Sequence, residues 1–157
     1  MFAKLRRTDK AKTAQEAEQI LSGAPWGTLA LTLEDGYPYS VPVSHLYREG
    51  CIYFHSANAG QKYAALLQSP KVCFSAVGEA THLLPGQFTV AYASVIAFGQ
   101  ATLVEDPDEV LEILELITKR YDPAATAQST GAYLQAHLAR CCVFKITVEQ
   151  LTGKGVI

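Results

Sequence analysis

Charge of either sign is scarce in this chain, and what there is nearly cancels. Lys and Arg number 13 and Asp and Glu 15 among 157 residues, for a net charge of −2. Such a balance leaves no electrostatic footprint for nucleic acid or for an anionic membrane surface. No apolar run approaches the ~18 residues that a membrane-spanning helix needs. The start Met1-Phe2-Ala3-Lys4-Leu5-Arg6 has no apolar stretch behind it, so it does not read as a signal peptide. Cys51, Cys73, Cys141 and Cys142 show no C-x-x-C spacing, and they lie in or open apolar strand-like runs. Free thiols in a reducing cytoplasm are expected, with no disulfide and no metal site. The Gly-x-Gly-x-x-Gly fingerprint of a tightly bound dinucleotide is also missing.

What is present reads as a single domain over residues 1–157, long enough for a real core and without repeats or low-complexity segments. The one local excess of charge, Lys4, Arg6, Arg7, Lys10 and Lys12, reads as a solvated arm or as charge for an anionic ligand or a neighbouring subunit. Thr13-Ala14-Gln15-Glu16 is a capping box, and Ala17, Ile20 and Leu21 form the apolar stripe of the short helix it opens. Gly23 sits where a C-terminal cap belongs. From Trp26 the period changes to a strand through Leu33, and Asp35-Gly36 makes a hairpin turn. The return strand, Tyr37 to Tyr47, puts Tyr39, Val41, Val43, His45 and Tyr47 on one face. Pro38 and Pro42 each remove a ladder donor, which predicts an edge strand or a bulge there.

A β-run Cys51-Ile52-Tyr53-Phe54 ends at His55, and a helical pattern starts near Gly60 and stops at Ser69-Pro70. Lys71 to Val77 is a further strand, followed by a loop with Gly78, Pro85 and Gly86 that holds His82. Phe88 to Val104 is long enough to be a bent barrel strand, with Gly99 at the bend. Asp106-Pro107-Asp108-Glu109 opens a helix with the stripe Val110, Ile113, Leu114, Ile117 and Tyr121. A polar segment through Gly131, a short helix from Tyr133 to Arg140 and a last strand from Cys142 to Val148 complete the pattern. About six strands with antiparallel hairpin signals and a few peripheral helices make an α+β chain, mainly β, built as a small closed or split barrel.

The strand–loop–helix junction His55-Ser56-Ala57-Asn58-Ala59-Gly60-Gln61-Lys62 carries the chemistry. A helix N-terminus there aims free N–H groups at an anion, and the same turn adds a hydroxyl, an imidazole and a cation. Lysine in a first helical turn opposes the helix dipole, so Lys62 wants an anionic partner. Phosphate is the anion these residues suit.

Gly36-Tyr37-Pro38-Tyr39-Ser40-Val41-Pro42-Val43, Ile52-Tyr53-Phe54-His55-Ser56-Ala57, Gly60-Gln61-Lys62 and Lys71-Val72-Cys73-Phe74 together resemble the pyridoxamine-phosphate-oxidase-like FMN-binding split barrels. The likeness extends over about Arg6 to Lys154. It is strongest to the nitroimidazole-resistance branch, which Tyr92-Ala93-Ser94-Val95, Phe98-Gly99-Gln100-Ala101 and Thr152-Gly153-Lys154 also match. The resemblance implies a six-stranded antiparallel split β-barrel with peripheral helices, and a homodimer holding FMN at its interface. It implies that Val41, Pro42 and Val43 lie against the isoalloxazine ring and that His55, Ser56, Gly60, Gln61 and Lys62 form the phosphate turn. Ser94 and Val95 would reach the flavin of the other subunit. The C-terminal Arg-x-His motif of true pyridoxamine-phosphate oxidases has no counterpart in Gly153-Lys154-Gly155-Val156-Ile157, so vitamin B6 oxidation is not expected.

The expected function is reduction of a small electron-poor acceptor, such as a nitroaromatic or quinone, with FMN as cofactor and NAD(P)H as a transient donor. His55 is the candidate catalytic group, as a ligand contact or a proton donor. Two other readings remain open from the sequence. One is a non-catalytic module that stores or senses flavin, and the other is a haem-binding barrel using His55 or His82 as axial ligand.

Overall fold

The computed structural model of the chain describes residues 2–78 and 82–156. After a 3-10 turn at Thr8–Lys10, helix α1 (Ala14–Gly23) begins at the expected capping box. The Glu16 N–H donates to Thr13 Oγ1 at 3.2 Å, and the Thr13 N–H donates to Glu16 Oε2 at 2.7 Å. Gly23 does not act as a left-handed cap. The helix closes instead through the Ala24 N–H on the Ile20 carbonyl, and Ala24 is extended ahead of Pro25.

Strands β1 (Gly27–Thr32) and β2 (Pro38–Val43) form the predicted hairpin, with Gly36 at φ +84° and the Tyr37 N–H on Asp35 Oδ1. The strand expected through Tyr47 breaks at Ser44-His45, so β3 (Leu46–Arg48) is a separate element. It turns through Glu49 and Gly50 into β4 (Cys51–Ala57), which α2 (Gln61–Gln68) follows. Then come β5 (Lys71–Val77), β6 (His82–Leu84) where a loop was expected, and β7 (Thr89–Ala91) and β8 (Ala93–Leu103), into which the single strand expected from Phe88 to Val104 divides at Tyr92 because its first part pairs with β6. Helix α3 (Pro107–Tyr121) starts as predicted on the Asp106 cap, whose side chain accepts from the Asp108 N–H.

Two elements are longer than the sequence pattern indicates. Helix α4 spans Ala127–His137, capped by the reciprocal Thr126–Ser129 box, and a 3-10 turn at Leu138–Arg140 follows it. Strand β9 runs from Cys141 to Gly155. Its second half, which the sequence leaves as a tail, pairs Leu151 to Gly155 with Ala97 to Ala93 of β8. The β8–β9 register shifts between Phe98 and Gly99, and a Cβ at Gly99 would run into the Thr147 carbonyl.

The main sheet is antiparallel with the order β2-β1-β5-β8-β9-β4-β3. Its two edges, β2 and β3, are consecutive in the chain. Laid flat, six strand spacings would separate them by about 29 Å at ~4.8 Å each. The link from Val43 to Leu46 reaches at most about 11 Å at roughly 3.8 Å per residue. The sheet therefore curls until its edges meet at a seam that only the chain crosses, which is a split barrel. This is the α+β architecture expected, with the proline-bearing return strand divided across the seam.

Inside the barrel Leu29, Ile52, Phe54, Phe74, Phe144 and Ile146 are fully buried, and Ala17 and Leu21 of α1 with Ala65 and Leu66 of α2 close on them. A second core lies outside the barrel wall. There Tyr53 and Val143 pack against Ile113, Leu114 and Ile117 of α3 and Leu134 of α4. Strands β4 and β9 are thus covered on both faces near the turn that leads into α2.

Candidate functional site

Alternation along β4 divides the expected phosphate-turn residues between two faces. Phe54 and Ser56 point into the barrel and are buried, while His55 and Ala57 point out toward α3 and α4. Ser56 pairs with Cys142 of β9, whose thiol lies 3.5 Å from the Ser56 carbonyl. Beyond Ala57 the loop is tied down by Asn58. Its N–H donates to the Arg140 carbonyl at 3.3 Å and its side-chain amide to the Ala139 carbonyl at 3.2 Å.

Gly60 then takes φ +98° and ψ 175°, a conformation that side chains disfavour, and opens α2. No side chain caps this helix and no acid stands in its first turn. The leading N–H groups are therefore without a side-chain acceptor at the positive end of the dipole. Lys62 sits in that turn with its ammonium 5.8 Å from the centre of the Phe54 ring. Burial pushes the Lys62 ammonium below its ordinary pKa, and the nearby Cys142 thiol opposes the shift. Among the described residues no carboxylate pairs with it. Burial, and then the charge of Lys62, lower the pKa of His55 as well. Neutral imidazole is the form this favours at pH 7.

The outer face of β4 opens on a cavity of about 610 Å³ between the barrel wall, α3 and α4. His55 and Ala57 line it, as do Ser44 at the seam, Tyr121 at the end of α3 and Leu134 of α4. The turn and the cavity thus share His55.

The other predicted residues stand elsewhere. On β2, Val41 is half-buried against the barrel core, Pro42 is exposed and Val43 is buried. They pair with Leu29, Thr28 and Gly27 and form one side of the seam. Ser94 is half-buried with its hydroxyl donating to the Lys154 carbonyl at 3.5 Å, and the Val95 side chain is enclosed in the barrel core. Ser94 pairs with Lys154 and Ser56 with Cys142 on the same strand. Those two positions on β9 are separated by roughly 40 Å of extended strand. Within one chain, then, Ser94 and Val95 do not join the turn. His82 is exposed on the β6–β7 hairpin.

Four residues matter here that the sequence pattern did not assign to a site. His45 is fully buried, its Nε2 lies 2.8 Å from the Leu21 carbonyl and its Nδ1 has no partner among the described residues. Tyr121 bonds both backbone groups of His45, and Arg120 donates to the Ala24 carbonyl at 2.7 Å. Arg140 lines the cavity from the end of the α4 segment. Their sequence signals reached no further than a place for His45 on a strand face and for Tyr121 in the apolar stripe of α3. No group of His, Cys, Asp and Glu able to hold a metal occurs among the described residues. Nor is any helix among them long and apolar enough to cross a membrane.

A curled antiparallel split barrel with peripheral helices is the frame of a known protein class. The family model described as pyridoxamine 5'-phosphate oxidase matches residues 13–155, and the chain belongs to that family. No curated protein matches the sequence. Among solved structures, a candidate 5-nitroimidazole antibiotic resistance protein from Bacteroides thetaiotaomicron is 26% identical with a TM-score of 0.75. That match covers 91% of this chain and 84% of the other. The conserved hypothetical protein Rv2991 from Mycobacterium tuberculosis superposes with a TM-score of 0.81 at 20% identity, covering 97% and 90%. An FAD-binding protein, mll6688, from Mesorhizobium loti does so at 0.65 and 23%, covering 94% and 98%. The last two establish likeness of fold alone.

Proposed function

We infer that the chain is an FMN-dependent oxidoreductase that reduces a small electron-poor acceptor such as a nitroaromatic or quinone. The observation that carries this is Lys62: a partly buried cation without a carboxylate partner among the described residues, in the first turn of a helix whose N-terminal amides no side chain caps. A phosphate monoester answers each of those features at once, through charge-assisted hydrogen bonds and the helix dipole. Gly60 leaves the approach open, since nothing lies within 4 Å of where its Cβ would be. Ser56 and Gln61 border the same turn. The nitroimidazole link of the Bacteroides protein supports the acceptor class.

When bound, the flavin supplies the hydride chemistry. This chain's residues hold the phosphate, and the seam edge at Val41, Pro42 and Val43 gives the ring an apolar border with unpaired backbone groups. His55, kept neutral by burial and by Lys62, holds a proton it can share with an acceptor in the adjoining cavity. Ser94 and the backbone of Val95 reach the flavin only from a second copy, which favours a homodimer with the cofactor between subunits. NAD(P)H acts as a visiting donor.

Titration of FMN, FAD and riboflavin into the flavin-free protein tests this reading. Lys62→Ala should weaken FMN and FAD by about 10- to 100-fold and leave riboflavin nearly unchanged, as the loss of a charge-assisted contact requires. Equal loss for all ligands, or no flavin uptake by the wild type, would refute it.

A further inference from the structure

We propose that the cavity between the outer face of β4 and helices α3 and α4 binds a neutral flat ring carrying acceptor oxygens, a quinone or a nitroaromatic, with Arg140 and His55 as the donors. This rests on the acceptor class inferred above but not on where the flavin binds. The cavity measures about 610 Å³, within the range of small-molecule pockets. Leu114 and Ile117 of α3 and Leu134 of α4 give it apolar walls suited to the faces of a ring.

The polar lining determines what such a ring must carry. Four of the polar side chains that line it are already bonded within the protein. The Thr118 hydroxyl donates to the Leu114 carbonyl, the Ser129 hydroxyl to the Thr126 carbonyl, and Tyr121 bridges to His45. Nδ1 of His137 lies 2.8 Å from the Tyr133 carbonyl. The His55 ring and the Arg140 guanidinium have no hydrogen-bond or ion-pair partner among the described residues. The Asp122 carboxylate and the Ser44, Thr130 and Tyr133 hydroxyls have no side-chain hydrogen bond among the described residues either. His55, Arg140 and the three hydroxyls can all donate, so the lining is richest in donors and suits a ligand that accepts. Asp122 lines the same cavity, and its charge offsets that of Arg140. A lining with no net charge favours a neutral ligand over a carboxylate or a cation. The Arg140 carbonyl also anchors Asn58, in the loop that leads into α2.

Calorimetric titration of the flavin-free protein with duroquinone, nitrobenzene and durene provides the test. Duroquinone has no open ring position for Cys141 to attack, and durene is a tetramethylbenzene without oxygens. At least one of the two oxygen-bearing ligands should bind, about tenfold or more tightly than durene. Arg140→Ala should lose that advantage while leaving durene binding as it was, and Ala125→Trp, which fills the cavity, should weaken all three. In the wild type, the ligand should shift the amide resonances of Ala57, Leu134 and Arg140, a readout that needs no variant to fold. Durene binding as tightly as both oxygenated ligands, no binding of either, or shifts confined to another face would each overturn the proposal. Because no flavin is present, failure here leaves the Lys62 result standing, and the converse holds.

Discussion

The phenolic oxygen of Tyr121 bridges the backbone of His45, accepting from its N–H at 2.9 Å and donating to its carbonyl at 3.1 Å. His45 is where the curled sheet passes from one edge strand to the other, so its peptide groups have no ladder partner. One hydroxyl at the end of α3 replaces both missing bonds, 76 residues away in sequence. Tyr121→Phe should therefore destabilise the fold by about 1–3 kcal/mol, the cost of leaving two buried backbone groups unpaired. Chemical denaturation would show this as a lower midpoint at an unchanged slope. An unmoved midpoint would mean that water serves the seam as well as the tyrosine does.

Acid should weaken the same junction. Burial holds the pKa of His45 below its ordinary value. The Leu21 carbonyl raises it, in partial opposition, and the charge of Arg120 lowers it further. The His55 pKa is lowered too. An unfolded histidine titrates near about 6.5, so below that pH the unfolded chain takes up protons that the folded one refuses. Stability should be level above about pH 6.5 and fall as the pH drops toward the folded values. His45→Gln should flatten that fall more than His55→Gln, because His45 is fully enclosed whereas part of the His55 ring faces the open cavity. Thermal melts between pH 7.5 and 5 decide it, and parallel slopes for wild type and His45→Gln would rule His45 out.

Lys62 titrates in the opposite regime. Its folded pKa is depressed by burial, so at a pH just below the ordinary lysine value it has given up its proton in more molecules than a free lysine would. A phosphate dianion beside it would restore the charged form, and FMN binding at that pH should take up protons. Calorimetry at pH 9.5 in two buffers of different ionisation enthalpy measures the uptake directly. Riboflavin should show none. Identical proton counts for the two ligands would place the phosphate away from Lys62.

Gly99 lies at the register shift of β8 against the Thr147 carbonyl, where backbone, not a movable side chain, occupies the space of a Cβ. Gly99→Ala should cost about 1–3 kcal/mol as an overpacking strain. Gly131→Ala in α4, whose Cβ would meet nothing within 4 Å, should instead stabilise by up to about 1 kcal/mol through helix propensity. Opposite signs in a melting experiment would confirm that the barrel bend, and not glycine content as such, sets the requirement.

Where elements begin was largely legible in the sequence. Thr13 with Glu16, Asp106 with Pro107 and Asp35-Gly36 each state a backbone solution within four residues, and each occurs as read. The first part of α4 escaped because its box uses Ser129 in place of a carboxylate side chain and because Gly131 interrupts it. The end of β9 escaped because Leu151-Thr152-Gly153-Lys154 has no alternating pattern of its own and becomes a strand only by pairing with β8. The β4–α2 turn was visible as a local motif. The opposite facing of His55 and Ser56 follows from strand alternation, whereas the burial of His45 follows from nothing local.

The chain by itself determined the features settled over a few bonds: caps, turns, strand periods and a helix N-terminus left without an acid before Lys62. Short-range sterics and hydrogen bonding act the same way wherever the segment is placed. Curling the sheet decided the rest, because it joins groups that only meet once a long-range edge is closed. Ser44, His55, Tyr121 and Arg140 enclose one space for that reason, and no window of the sequence contains them all.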